Sequence, residues 1–307
     1  MAQTRLPSHP DVAYPGAAAA LELIKPITWF APVWALLCGS VAAGGSASSS
    51  YPWLAVLGGA ILAGPLVCGG SQAANDWFDR DVDAINQPDR PVPSGRVPGR
   101  WALWIAIGMA IAALLFGLGL GRGVFVATVL ALALGWSYSA PPFRFKTEGW
   151  LGAAVTGVAY EGLAWLTGAL IVGGEAVLSR PLMVPFAALY SLGALGIMVL
   201  NDFKAVEGDR QMGVNSLPVR LGVRRAALTA CAVMAVPQMV VVALLALAGH
   251  PISAALIGAL VIGQFALMRR LLRDPQRFAP WYNGTGVTLF VAGMMVAAVA
   301  LRHGAGG

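Results

Sequence analysis

Two short segments hold most of the side chains in this 307-residue chain that are able to do chemistry together. The first reads NDWFDRDVD from Asn75 to Asp83. Asn75, Asp79 and Asp83 recur every four positions, so a helix carried past a membrane face shows them on one side, with Asp76 a turn before Asp79. The second reads NDFKAVEGDR from Asn201 to Arg210. Asp202 and Asp209 are seven apart, two helical turns, and so are expected to share a face, with Glu207 off it. Acidic oxygens brought together repel unless a cation sits among them. Hard oxygen donors suit Mg²⁺, which is commonly held by a few carboxylates together with substrate phosphates. Two such clusters, with Asn75, Asp76, Asp79, Asp83, Asp202 and Asp209 as candidate ligands, form a device for drawing off a diphosphate leaving group.

Basic groups complete that device. Tyr138-Ser139-Ala140-Pro141-Pro142-Phe143-Arg144-Phe145-Lys146 presents a phenol and two cations where a diphosphate can be gripped. Lys25, Arg90 and Arg210 are further candidates. The alternative is that these are solvated loop acids balancing nearby arginines. Against it stand the two Asn-Asp pairs at equivalent helix ends in a chain with only 14 acidic residues.

The elements that must position these groups lie in a membrane. Hydrophobic residues make up 58% of the chain and charged ones 11%, against about 25% charged in soluble domains. Apolar runs long enough to cross ~30 Å of hydrocarbon occur near residues 24–45, 52–74, 101–119, 122–138, 150–173, 181–201, 226–249, 252–270 and 284–302. Backbone polar groups in lipid must be satisfied internally, and the runs are too long for barrel strands. The expected fold is therefore all-α and polytopic, with about nine transmembrane helices and cytoplasmic cap loops. Residues 1–22 form an expected cytoplasmic N-terminal tail and 23–303 the transmembrane domain.

Charge sets the expected orientation. Of 20 Lys and Arg, only Arg122, Arg180 and Arg302 fall on the face opposite the N-terminus, leaving 17 on the N-terminal side. By the positive-inside rule the N-terminus and the acidic motifs are cytoplasmic and the C-terminus is outside, in an inner membrane. The net charge of +6 then reflects topology, and no nucleic-acid partner is expected. Cys38, Cys68 and Cys231 have no paired spacing, so packing roles are expected rather than disulfides or zinc. None of His9, His250 and His303 lies in a motif, which argues against histidine-based catalysis. No removable signal peptide is expected.

Together these stretches resemble the UbiA superfamily of intramembrane prenyltransferases, marked by NDxxDxxxD, a second Asp-rich motif and a YSxPP…K segment between them. The likeness runs from about Lys25 to the ninth helix. LIKPITWFAP from Leu23, NDWFDRDVDAINQPDRPVPSG from Asn75 and NDFKAVEGDRQMGVNSLPVRLG from Asn201 look like the chlorophyll and bacteriochlorophyll synthase branch, leaning to the bacteriochlorophyll side. One departure is Ala205, where most of the superfamily has the first Asp of a DxxxD; Asp202 is a candidate replacement.

The resemblance implies an Mg²⁺-dependent transferase that esterifies the propionate of a chlorophyllide or bacteriochlorophyllide with geranylgeranyl or phytyl diphosphate in the bilayer. Asp79, Asp83, Asp209 and Lys146 are the residues expected to act on the reacting diphosphate. Lys25, Arg90, Tyr138, Arg144, Lys146 and Arg210 are expected to bind it. Trp77, Phe78, Tyr138, Phe143 or Phe203 is expected to stabilise allylic positive charge. Within the superfamily the rival acceptors are an aromatic quinone precursor or haem. From another class the rival is a secondary transporter, which tends to keep charge at the midplane. Glu161 is the main charge placed there, 11 residues after Trp150 or ~16 Å along a helix. It touches the macrocycle or lines the substrate cavity, or else bonds to a neighbouring helix as a protonated acid, and it is not counted among the catalytic residues.

Overall fold

The computed structural model describes residues 14–44, 51–211 and 213–304. The first thirteen residues of the expected N-terminal tail, including Arg5 and His9, lie outside the described residues. So does Met212.

Among the described residues nine helices are long and apolar enough to cross a membrane: α1 (Pro26–Ala43), α2 (Trp53–Asn86), α3 (Trp101–Leu120), α4 (Arg122–Ser139), α5 (Gly149–Gly173), α6 (Met183–Asp202), α7 (Val223–Leu247), α8 (Pro251–Leu271) and α9 (Pro275–His303). They match the nine apolar runs one for one. Two ends differ. α2 continues twelve residues past the expected end at 74, and α9 begins at Pro275 rather than near 284. A 34-residue helix is about 51 Å long at ~1.5 Å per residue, well beyond ~30 Å of hydrocarbon. The polar end of α2 therefore projects beyond the apolar slab, carrying the first acidic segment with it.

α1 lies against α5 with almost no side chain between them. A Cβ on Gly39 would come within 1.8 Å of the Trp165 carbonyl oxygen, and one on Gly168 within 1.9 Å of the Leu36 carbonyl oxygen. Small residues at such crossings are how helices approach closely in lipid, where apolar burial gives no driving force. α9 packs against α1, with Trp34 Nε1 donating to the Val291 carbonyl at 2.9 Å. The main core joins α1, α5, α6, α7, α8 and α9 around Trp165, Phe186, Tyr190 and Phe290, and a smaller one joins α2, α3, α4 and, through Leu170, α5. Between α7 and α8, buried Gln238 and Gln264 exchange two amide hydrogen bonds at 3.0 and 3.1 Å.

Three spans depart from regular α-helix: α1 opens with a 3₁₀ turn at Pro26–Trp29. Leu62–Gly69 in α2, which contains Pro65, and Val158–Gly162 in α5 are π-helical. Proline has no N–H to give, so the widened turn in α2 falls where the α-helical ladder is already broken.

Three polar segments gather at the end where α2 projects. They are the loop 87–100, the loop 140–148 and the stretch 203–222. Asn215 donates its N–H to the Thr147 carbonyl and accepts from Gly149 N–H, both at 3.1 Å. Arg96 pairs with Glu22 on a short helix, Ala17–Leu23, which buries Ala19 and Leu23. That helix crosses the expected domain boundary at residue 22.

Candidate active site

The projecting end of α2 brings the first acidic segment under the α4 terminus. Asn75 Nδ2 donates to Asp79 Oδ2 at 2.9 Å and to Ser139 Oγ at 2.8 Å. Four cations from three segments close on the acids. Lys25 Nζ donates to Asp76 Oδ1 at 2.6 Å. Arg90 Nη1 donates to Asp83 Oδ2 at 2.7 Å and stands 3.6 Å from Asp76 Oδ1. Lys146 Nζ bonds Asp79 Oδ1, and Arg144 Nη2 lies 3.8 Å from the same oxygen. The repulsion among Asp76, Asp79 and Asp83 is thus met by basic side chains.

Lys25 and Arg144 both have φ of 44°, and among the described residues they are the only non-glycine positions with positive φ. A side chain in that conformation costs roughly 1–3 kcal/mol, so the surrounding structure must hold it there. In each case the twist sets a cation beside an acidic residue of α2. Burial pulls the Lys146 ammonium below the ordinary lysine range, against the opposing pull of Asp79.

The second acidic segment is not one helix. α6 ends at Asp202, residues 203–205 turn with Phe203 packed in the core, and a short helix follows at Val206–Gln211. The expectation of a shared helical face for Asp202 and Asp209 is corrected accordingly. The turn nevertheless leaves the two close enough for Asp202 to feel the Asp209 charge. Asp202, Asp79 and Asp209 all lie within electrostatic reach of the Tyr138 phenol. Burial pushes the Asp209 carboxyl up. Arg210 is not brought to this group: it is 63% exposed and lies 3.5 Å from Glu207.

Beneath the polar end lies a cavity of about 620 Å³. Asn75, Tyr138 and Asn201 line it, as do Gln72, Tyr160 and Glu161. Of the five rings expected near an allylic cation, only Tyr138 lines the cavity. Trp77 lies under Arg80 at 4.4 Å, Phe78 packs edge-on against Trp136, Phe143 is exposed and Phe203 is buried in the core. Tyr160 and Phe30 line it instead. Sequence reasoning also missed Gln72 and Asn283. Gln72 sits one turn before Asn75 on the same face, a spacing that would have revealed it. Asn283 donates to Asn201 Oδ1 at 2.8 Å from 82 positions away, with no local signal.

This arrangement sets a cation- and acid-rich end above a cavity among the membrane-spanning helices. Residues 31–284 match the UbiA prenyltransferase family, and the chain belongs to it. Among its relatives, the bacteriochlorophyll synthase 33 kDa chain of Cereibacter sphaeroides is 54% identical over 96% of both chains. The chloroplastic chlorophyll synthase of Oryza sativa subsp. japonica is 36% identical over 92% of this chain and 76% of its own. A solved UbiA homologue from Archaeoglobus fulgidus, bound to DMAPP and Mg²⁺, superposes with a TM-score of 0.68 at 22% identity, covering 92% of this chain and 99% of that one. The last likeness shows the fold.

The donor set fits a magnesium ion held jointly with phosphate. Among the described residues no three acidic, histidine or cysteine side chains converge tightly enough to cage a metal alone. Mg²⁺ rarely asks for such a cage and binds through one or two carboxylates plus substrate oxygens. Asp76 Oδ2 is fully buried and without a hydrogen-bond partner among the described residues, leaving a hard acceptor oxygen at the centre of the group.

Proposed function

We propose that this chain esterifies the propionate of a bacteriochlorophyllide or chlorophyllide with an isoprenoid delivered as geranylgeranyl or phytyl diphosphate. The observation that carries the reaction class is the meeting of Asn75 and Asn201, one from each acidic segment, at the rim of a single intramembrane cavity. The pigment class is supported by the 54% identity to a bacteriochlorophyll synthase chain.

Lys25, Arg90, Arg144 and Lys146 bind the diphosphate oxygens, for which ammonium and guanidinium groups are strong charge-assisted donors. Asn75, Asp76, Asp79 and Asp83 with Asp202 and Asp209 would hold Mg²⁺, which would supply charge neutralisation for a departing diphosphate. The C–O bond to the diphosphate breaks as the propionate oxygen forms its own bond to the same allylic carbon. Tyr138 and Tyr160 face that carbon with ring π-density, which favours positive charge, and the apolar walls keep water from it. A propionate is already ionised at neutral pH, so no general base is required. Arg210, facing solvent, takes no part in this scheme.

Residues 23–303 act as the membrane domain. The charge asymmetry supports a cytoplasmic N-terminus and active site in an inner membrane, with the C-terminus outside. The deciding experiment offers purified protein both pigments, both diphosphates and Mg²⁺, and weighs the product. An ester that fails to form when the metal is chelated is expected. Prenylation of an aromatic quinone precursor or haem instead of the pigments overturns the pigment reading, and metal-independent solute movement without product favours a transporter.

A further inference from the structure

Glu161 has no place in that scheme. It lies within the span α5, it is 5% exposed, and its Oε2 is buried without a hydrogen-bonding group among the described residues. No ion pair among the described residues includes it. It does not bond to a neighbouring helix, which is the usual way for a lone acid to be tolerated in hydrocarbon. Instead it lines the same cavity as Asn75, Tyr138 and Asn201.

A second observation bears on the same residue. Glu161 sits inside the π-helical stretch Val158–Gly162. Such turns sacrifice regular hydrogen bonding and gather at functional sites. A backbone irregularity and an unpartnered polar group thus coincide on the cavity wall, and a ligand group accounts for the second.

Two substrates share the cavity in the proposed reaction, and their chemistry decides between them. An isoprenoid chain is hydrocarbon and offers nothing to a carboxyl. A tetrapyrrole of this class carries carbonyl oxygens conjugated to its ring at the rim. A neutral carboxyl has one O–H to donate, and a ring carbonyl is the acceptor that satisfies it without burying net charge. Resting on the synthase reading, we infer that Glu161 is a docking and specificity-determining group for the acceptor pigment, donating a hydrogen bond to a rim carbonyl. The bond sets the rotation of the macrocycle, so that the propionate points to the diphosphate end. Asn283 Oδ1, also buried and unpartnered among the described residues, is an acceptor and is not able to replace a donor to that carbonyl.

The test uses the full-length protein in lipid nanodiscs with unesterified bacteriochlorophyllide as the probe. Resonance Raman spectra of the bound pigment report the conjugated carbonyl stretch, which falls when the oxygen accepts a hydrogen bond. Wild type is expected to show the lowered stretch, E161Q to keep most of it through its amide N–H, and E161L to lose it. The acceptor KM rises about tenfold in E161L, the worth of one such bond, while the KM for the prenyl diphosphate is unchanged. Wild type offered a pigment whose rim ketone has been reduced shows the same rise, which keeps the test alive should E161L not fold. An unchanged carbonyl stretch and acceptor KM in E161L, or a change confined to the prenyl diphosphate, overturns the inference. Wild type that neither binds nor esterifies the pigment overturns the synthase reading itself, a distinct outcome.

Discussion

Lys146 donates to Asp79 across 67 positions of sequence, tying the loop after α4 to the acidic segment that ends α2. Asp79 also accepts from Asn75 and stands beside Arg144. The carboxylate therefore sits at the junction of the metal-binding and phosphate-binding groups of the proposed site.

Asp79→Asn keeps the shape of the residue and removes its charge. Turnover is expected to fall at least roughly tenfold, since a lost carboxylate on a phosphate-bound metal removes charge stabilisation. Added Mg²⁺ restores it only in part. Steady-state rates across a magnesium titration check this, and near-normal turnover would reduce the first motif to a solvated loop.

The lowered Lys146 ammonium gives a pH signature. A cation whose affinity for its proton is weakened by burial loses its charge at a lower pH than an ordinary lysine does. If that charge grips the diphosphate, activity falls on the alkaline side earlier than free lysine chemistry predicts. Lys146→Arg, whose guanidinium stays protonated, should move that alkaline limb to higher pH while costing some activity at neutrality. A profile of kcat/KM against pH for both proteins decides it; coincident alkaline limbs rule out Lys146 as the titrating group.

The bond formed separates the carboxylate acceptor from an aromatic one. A pigment whose propionate is already methylated should be inert as substrate while still competing for binding. The product of the free acid should release its isoprenoid as an alcohol in alkali, which a carbon–carbon bond does not do. Mass spectrometry before and after hydrolysis reads both.

The helix contact between α1 and α5 predicts a structural cost. In Gly39→Val the first added carbon meets the Trp165 carbonyl at 1.8 Å, and both atoms belong to packed helices. Overpacking of this kind costs roughly 1–3 kcal/mol or more, so the midpoint of thermal unfolding in detergent should drop. Gly108→Ala, where an added Cβ meets nothing within 4 Å, should leave it unchanged or raise it.

The charge asymmetry predicts a C-terminus away from the cytoplasm. A C-terminal reporter active only in the cytoplasm should stay silent on an active fusion. Strong signal there means that the spans number one more or one fewer than nine.

Nine spans were legible because each is an apolar run, and hydropathy reports the solvent a segment prefers. It does not report hydrogen bonding, so it missed where α2 ends. The apolar run ends near residue 74, yet the helix continues in a polar sequence to Asn86, where composition alone looks like a loop. The turn at residues 203–205 was hidden for the converse reason: NDFKAVEGDR has no proline and only one glycine, and nothing local marks the break. Residue types and spacing disclosed the acids and most of the cations. Which cation meets which acid was beyond reach, because Lys25, Arg90 and Lys146 reach α2 from three separate segments.

The π-helical stretch Val158–Gly162 fixes a relation of phase along α5. Each such turn takes in one residue more than an α-helix needs, which offsets the two flanking halves by about 100° of azimuth. The half before it packs with the cavity-lining Thr156, and the half after it carries Gly168, which must face Leu36. Deleting a single residue here would shorten the span by only about 1.5 Å, yet it would turn one of those faces away from its partner. At this point in the chain, length is nearly free and angle is not.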